Sequence, residues 1–531
     1  MPALRPPHWS LVIGHWSLRA ALGAFALVLS LSFATVANAD VTLAPLFRDG
    51  AVLQREKPLP VWGTADAGES ITVTFAGQSA SATAGADGRW SVTFKPLTAS
   101  AEPRDLAVSG RNKLVVHDVV VGEVWLASGQ SNMAYALGGA TDGKADIKAA
   151  NFPLLRQFKV AQQPSFDPLA NVDGAWAPAL PPTAGQFTAV GYYFGLYLHQ
   201  KLNVPVGIIN SSWGGTAVEA WIAPDAYRAN PAIGKTFAQQ EKTVRAKPEE
   251  KTSYETALAT WEKARADAKA AKQAFSTPAP KAPAGLPGPR TAAGLYNGMI
   301  NPLVPCALRG AIWYQGEANA DHAAQYPPLF AALITGWRKQ FAQGDFPFYW
   351  VQLPNLERKD RDPAHPSWAA LREVQTQTLA LPNTGQAVTI DVGEAKNLHP
   401  KNKKTVGQRL ALLALARTYR VEHVIDSGPV FKSAKREGSA YRIAYEPVAG
   451  AAEPSSGTLK ASPAGLTGFE LAGPDKVFHP AEAKIDGPTV VVSCAEVADP
   501  AAVRYAYANA PVAGLFNAEG LPAAPFRTDT W

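Results

Sequence analysis

The chain has 531 residues, 47% hydrophobic and 18% charged, and its 50 Lys and Arg against 44 Asp and Glu leave a formal charge of +6. That length exceeds one ordinary core, so two or three domains are expected. The charge is small for the size and no Lys/Arg stripe is interleaved with aromatics, which argues against nucleic acid as a partner; with no CxxC or HExxH pattern, no metal site or other cofactor is expected.

The first 39 residues read as an export signal. Arg5 and Arg19 precede the apolar stretch "AALGAFALVLSLSFA", and "ANA" at Ala37 to Ala39 fits a small-residue cleavage site before Asp40. No later segment is long and apolar enough to span a bilayer. A periplasmic or secreted protein without a membrane span is therefore expected once the leader is removed.

Residues 40–118 carry short β-branched and aromatic runs, "LPVWGTA", "SITVTFAG", "GRWSVTF" and "NKLVVHDVVVG", split by Gly, Asp-Gly and Ser breaks. Trp90, Val92 and Phe94 alternate with polar residues, as a half-buried strand requires. A β-sandwich region is expected here.

Over 119–420 the pattern changes to alternating strands and helices. The strands expected are "GEVWLAS", "VPVGIIN", "RGAIWYQ", "FPFYWVQL" and "QAVTIDV". Helices are expected at "AVGYYFGLYLHQKL", "PPLFAALITGWRKQF", "WAALREVQTQTLAL" and "KTVGQRLALLALARTY". Near-continuous apolar strands in such alternation imply a parallel sheet covered on both faces, and ligands bind such sheets beyond the carboxyl ends of the strands. The stretch 235–290 interrupts the alternation with an Ala, Lys and Glu-rich helix at 249–275 and a Pro-rich linker, read as a surface excursion. From 421 to 531 short β runs return, consistent with a second β-sandwich region. Cys306 and Cys494 either pair or remain free thiols; their spacing does not decide.

Four polar clusters follow apolar strands: "GQSNM" around Ser131, "SSWGGTAVEAW" with Gly214 and Gly215, "WYQGEAN" and "NLHPKNK". Acyl transfer needs a nucleophile, a base, a group that orients the base, and donors for the oxyanion. Ser131 stands where a nucleophile would, and His399, before the last helix, where a base would; His322 is the other histidine near a cluster. The backbone N–H groups of Ser131 and Gly215 suit an oxyanion, with a side-chain amide from Gln315 or Asn319. Taken singly, each has a plainer role: a serine before a helix is commonly an N-cap, and a Gly-Gly pair a turn. Four such clusters on one sheet favour the chemical reading.

In order, "GEVWLASGQSNM", "VPVGIINSSWGGTAVEAW", "LYNGMINPLVPCALRGAIWYQGEAN" and "LHPKNKKTVGQRLA" resemble the sialate O-acetylesterase family of the SGNH hydrolases, related to acetyl xylan esterases. The likeness extends to "AVLQREKPLPVWGTADAGESITV" and "VRYAYANAPVAGLFNAEGLPAAPFRTD", and so covers nearly all of the chain after the leader. The resemblance implies a flavodoxin-like α/β/α sandwich without metal, acting on O-acetylated carbohydrate. By position it implies Ser131 as nucleophile, His399 as base and Gly215 as the oxyanion glycine, with Gly214 its neighbour. Many SGNH hydrolases carry an aspartate three residues before the histidine; here that position is Lys396, followed by Asn397. Glu317 of the "QGE" loop is the expected acid, with Asp391 and Glu394 as alternatives. Gln130, Asn132, Trp213, Tyr296 and Asn297, together with Trp221 and Trp368, are candidates to line a sugar site. An acetyl xylan or xyloglucan esterase is the alternative substrate reading, and a non-catalytic glycan-binding protein the distant one. Oligomeric state is not legible.

Overall fold

The computed structural model describes residues 40–242, 245–360, 365–446 and 458–531; the expected leader at 1–39 lies outside the described residues. The organising element is Lys113–Gly129, a 17-residue strand. Its first part pairs antiparallel with Ser100–Ser109 and parallel with Val52–Gln54. Its last part pairs parallel with Val206–Ser212 on one side and Gly310–Tyr314 on the other. The sheet continues outward from Val206–Ser212 through parallel Phe152–Val160 to an antiparallel edge, Gly174–Ala179. In the other direction it continues through Phe348–Val351 to Thr384–Ala387, both parallel. A boundary at 118/119 thus falls inside one unbroken strand.

Both faces of this sheet are covered, which is why its strands read as apolar runs rather than alternating ones. Trp125 meets Phe194 of the helix Ala189–Leu202 edge-on, and that helix packs against Lys403–Leu413. On the opposite face Trp313 meets Phe330 and Trp337 of Tyr326–Phe341, next to Ser367–Gln377. The architecture is an α/β/α sandwich, a mainly parallel sheet with helices on both faces.

Two strands of the α/β region escape the sequence reading, Phe152–Val160 and Gly174–Ala179. The first carries Arg156 and Gln157, which break the apolar run yet are buried at 4% and 3% exposure. Arg156 is paid for by Asp118, and Gln157 accepts from Thr188 N–H, so tertiary partners override the local pattern. The last strand is Thr384–Ala387, ending well before Val392, where "QAVTIDV" would end it. Past Ala387 the chain leaves the ladder because Thr389 donates to Gln352 O and Asp391 turns to Arg409.

The N-terminal strands Leu59–Thr64, Ser70–Phe75 and Arg89–Phe94 lie near their expected positions and share a core of Val61, Ile71, Val73, Trp90 and Val92. This region is tied to the parallel sheet by the fully buried Glu123, which accepts from Arg55 (2.5 Å), Arg309 (2.7 Å) and Gln54 (3.1 Å). Described residues after 430 form two four-stranded antiparallel sheets and a two-stranded one around Ile443, Leu471, Val490, Val503 and Phe526. The excursion holds the helix Pro248–Ala270, which has no buried residue. Cys306 and Cys494 are separate, unpaired thiols. Among the described residues no helix is long and apolar enough to cross a membrane.

Candidate active site

Strand order reverses around Lys113–Gly129: the chain next builds one side of it, then crosses to Gly310–Tyr314 on the other. The carboxyl end of such a central strand opens onto a crevice between its neighbours. Gly129 makes the exit possible. Its φ is +132°, and a Cβ there would lie 2.2 Å from Tyr314 O, so no other residue lets the two strands approach this closely. Gln130 N–H donates to Tyr314 O (3.0 Å), and the short helix Ser131–Ala134 begins at once.

Ser131 Oγ lies 2.8 Å from His399 Nε2, although 268 residues separate them in the chain. The histidine is half-buried, and its ring stacks on Tyr135 with centroids 6.5 Å apart. Burial, and then the nearby Lys403 cation, hold the imidazole pKa below its ordinary 6.5. It is therefore neutral at neutral pH, the form that accepts a hydroxyl proton.

The loop that delivers His399 is built by its own side chains. Glu394 accepts from Lys401 N–H (2.6 Å) and from Asn397 Nδ2 (2.9 Å), and Asn397 Oδ1 in turn accepts from His399 N–H (3.0 Å). Those bonds, the backbone one first, hold the Glu394 carboxyl below the usual range.

No carboxylate among the described residues hydrogen-bonds the His399 ring. Glu394 holds the loop backbone. Asp391 forms a bidentate pair with Arg409, both bonds 2.6 Å. Glu317, expected behind the histidine, instead accepts from Asn132 Nδ2 at 2.5 Å. Burial pushes its pKa up, opposed by that bond, and its second oxygen is buried without a hydrogen-bond partner.

For an oxyanion the turn after Val206–Ser212 supplies backbone. Trp213 N–H donates to Gly129 O (3.0 Å), docking the turn beside the serine. A Cβ on Gly214 would sit 3.2 Å from Ser131 Cβ; Gly215 has φ +72° and faces open space. Neither Ser131 N–H nor Gly215 N–H donates to an acceptor among the described residues. The side-chain amides are differently employed. Gln315 Nε2 donates to Asn319 Oδ1 (2.7 Å) and Thr216 O (3.3 Å), using both protons. Asn319 donates to Glu219 (2.9 Å) and accepts from Val218 N–H (3.0 Å). They brace the glycine turn against the "QGEAN" loop.

The sugar-site candidates also separate. Trp213 is half-buried. Gln130, 3% exposed, accepts from Ala318 N–H (3.2 Å). Tyr296 and Asn297 are 2% and 1% exposed, and Asn297 donates to Phe166 O (2.7 Å), away from the Ser131–His399 pair's own contacts. Trp221 and Trp368 are core residues that offer no face to a ligand. His322 lies in the 3-10 segment Glu317–Gln325 and makes no hydrogen bond to Ser131. Sequence reasoning did not single out Lys403. It is 1% exposed and donates to Asn132 Oδ1. The signal for it was faint, one lysine among three in "HPKNKK".

An α/β/α sandwich with a serine and a histidine in contact at its strand ends is the frame of an esterase. A family model described as a carbohydrate esterase, sialic acid-specific acetylesterase, matches residues 289–416. The chain is 32% identical to the sialate O-acetylesterase of Rattus norvegicus over 72% of its length and 74% of that protein's. It is 29% identical to the Homo sapiens protein over 73% of each. The crystal structure of a carbohydrate acetylesterase from Xanthomonas citri matches it with a TM-score of 0.78 at 40% identity, covering 92% of this chain and all of that one. The class is carbohydrate O-acetylesterase. Within it, the chain belongs to the sialate O-acetylesterase family.

Proposed function

We propose that Ser131 and His399 carry the esterase reaction on an O-acetylated sugar. The observation behind this reading is the 2.8 Å contact between His399 Nε2 and Ser131 Oγ at the crevice of the parallel sheet. His399, neutral through burial, takes the hydroxyl proton as Oγ attacks the acetyl carbonyl. The tetrahedral oxyanion is met by the N–H groups of Ser131 and Gly215. The imidazolium then protonates the departing sugar oxygen, leaving an acetyl ester on Ser131. Water, deprotonated by His399, attacks that ester; the imidazolium returns the proton to Ser131 Oγ as its bond to the acyl carbon breaks, and acetate leaves.

The sugar is proposed to be an O-acetylated sialic acid, by analogy with the names of the curated relatives; acetylated xylan and xyloglucan are the alternatives carried by the wider resemblance. The leader-like start supports a periplasmic or secreted location. A panel of acetylated sialic acids, xylan and xyloglucan oligosaccharides, scored for acetate release, ranks the substrates. Wild-type turnover of at least one member, lost in Ser131→Ala, is the expected result. A pure protein that binds glycans and releases no acetate would sink the enzyme reading.

A further inference from the structure

A lysine ammonium buried to 1% exposure is costly unless something repays its desolvation. Lys403 opens the helix Lys403–Leu413, four residues after His399, and points into the site rather than to solvent. Its recorded acceptor is Asn132 Oδ1, on the residue that follows Ser131. The rings of Tyr135 and Tyr314 lie with centroids 5.0 and 5.2 Å from Nζ, so their negative faces share in holding the charge. The charged neighbours are Glu317, from the loop after Gly310–Tyr314, and Glu394, from the histidine loop; His399 feels the cation in turn. Burial brings the Lys403 pKa down to about 7, with both carboxylates working against the shift.

Asn132 is where these elements meet. Its Nδ2 donates to Glu317 Oε1 (2.5 Å) and to Leu398 O (3.0 Å), the carbonyl just before His399. Its Oδ1 accepts from Lys403. One amide thus joins the nucleophile turn, the histidine loop, the "QGE" loop and the last helix. Its orientation is fixed by charge: only with Oδ1 facing the ammonium can Nδ2 face two acceptors. Among the described residues no carboxylate hydrogen-bonds the His399 ring, where a triad acid would stand.

We propose that Lys403 is a positioning residue of the esterase reaction, its buried ammonium locking Asn132 so that the Ser131 turn and the His399 loop keep their contact without a carboxylate on the histidine. This rests on the Ser131–His399 reading above. Lys403 touches no reacting atom; it acts through Asn132 and through its field on His399. That field opposes the imidazolium wherever Lys403 is protonated, which its pKa of about 7 confines to the acid side of neutral, the side on which the His399 limb lies.

The test is steady-state hydrolysis of an aryl acetate as a function of pH for wild type, Lys403→Met, Lys403→Arg and Asn132→Ser, with thermal melts alongside. Lys403→Met is expected to lose roughly 100-fold in kcat with KM changed by less than about threefold. Its acid limb of kcat/KM should move up toward the ordinary imidazole value, since one of two forces depressing it is gone. Lys403→Arg should restore most of the rate and leave the limb in place. Asn132→Ser should lose rate with the limb unmoved, because the cation remains. A Lys403→Met enzyme with near-wild-type kcat, or one that loses rate without moving the limb, would overturn the proposal. If that variant does not fold, Asn132→Ser retaining wild-type kcat overturns it just as directly. Failure of the underlying reading looks different: Ser131→Ala would stay active whatever Lys403 does.

Discussion

Asp391, Glu394 and Glu317 are the three carboxylates the sequence offers behind His399, yet each is engaged elsewhere: with Arg409, with the loop backbone, and with Asn132. Their substitutions should therefore separate. Glu317→Gln removes the partner of Asn132 and is expected to lower kcat by roughly 100-fold, the scale of a misplaced contact, against about 10⁴ for a lost triad acid. A loss of the larger size, with KM unchanged, would put Glu317 on the histidine after all. Asp391→Asn leaves Arg409 largely buried without its bidentate partner and should cost about 3 kcal/mol in urea unfolding while kcat changes little. Intact stability in that variant would contradict the pairing. Ser131 and His399 were legible because each follows an apolar strand of the same sheet, and strand ends converge. The Lys403–Asn132 contact joins residues 271 apart through a single side-chain orientation, which no local pattern encodes.

The strand-to-helix exits hold the site, and the tightest is at Gly129. A Cβ at φ +132° and 2.2 Å from a backbone oxygen cannot be absorbed by a side-chain shift. Gly129→Ala should cost more than about 2 kcal/mol and remove activity along with it; a variant of wild-type melting temperature would show that the strands can part. The principal helices of the sandwich were readable from composition and period, and Ala189–Leu202 falls where the pattern puts it. What stayed hidden were elements whose polar residues are satisfied from afar, such as Arg156 and Gln157 in Phe152–Val160. The same holds for Gln315 and Asn319. Their amides suit an oxyanion on paper, and the fold spends them on bracing the Gly214–Gly215 turn.

Across the whole molecule, two β regions flank the sandwich, and one of them shares the central strand, so fold and site stand or fall together there. The excursion is a different matter. Pro248–Ala270 has no fully buried residue, and the chain closes beneath it through Ala246 N–H to Gly285 O at 3.0 Å. Replacing residues 247–284 with a short Gly-Ser link should change stability by less than about 1 kcal/mol and leave aryl-acetate turnover intact. Lost turnover on acetylated oligosaccharide alone would instead assign the helix to substrate. The central claim, that Ser131 carries the acetyl group, is tested most directly by quenching the enzyme during turnover of an acetylated sugar and locating the added acetyl by peptide mass spectrometry. A serine held against His399 gives acetyl on Ser131, absent in Ser131→Ala together with acetate release. Acetyl on another residue, or undiminished release by Ser131→Ala, would contradict it.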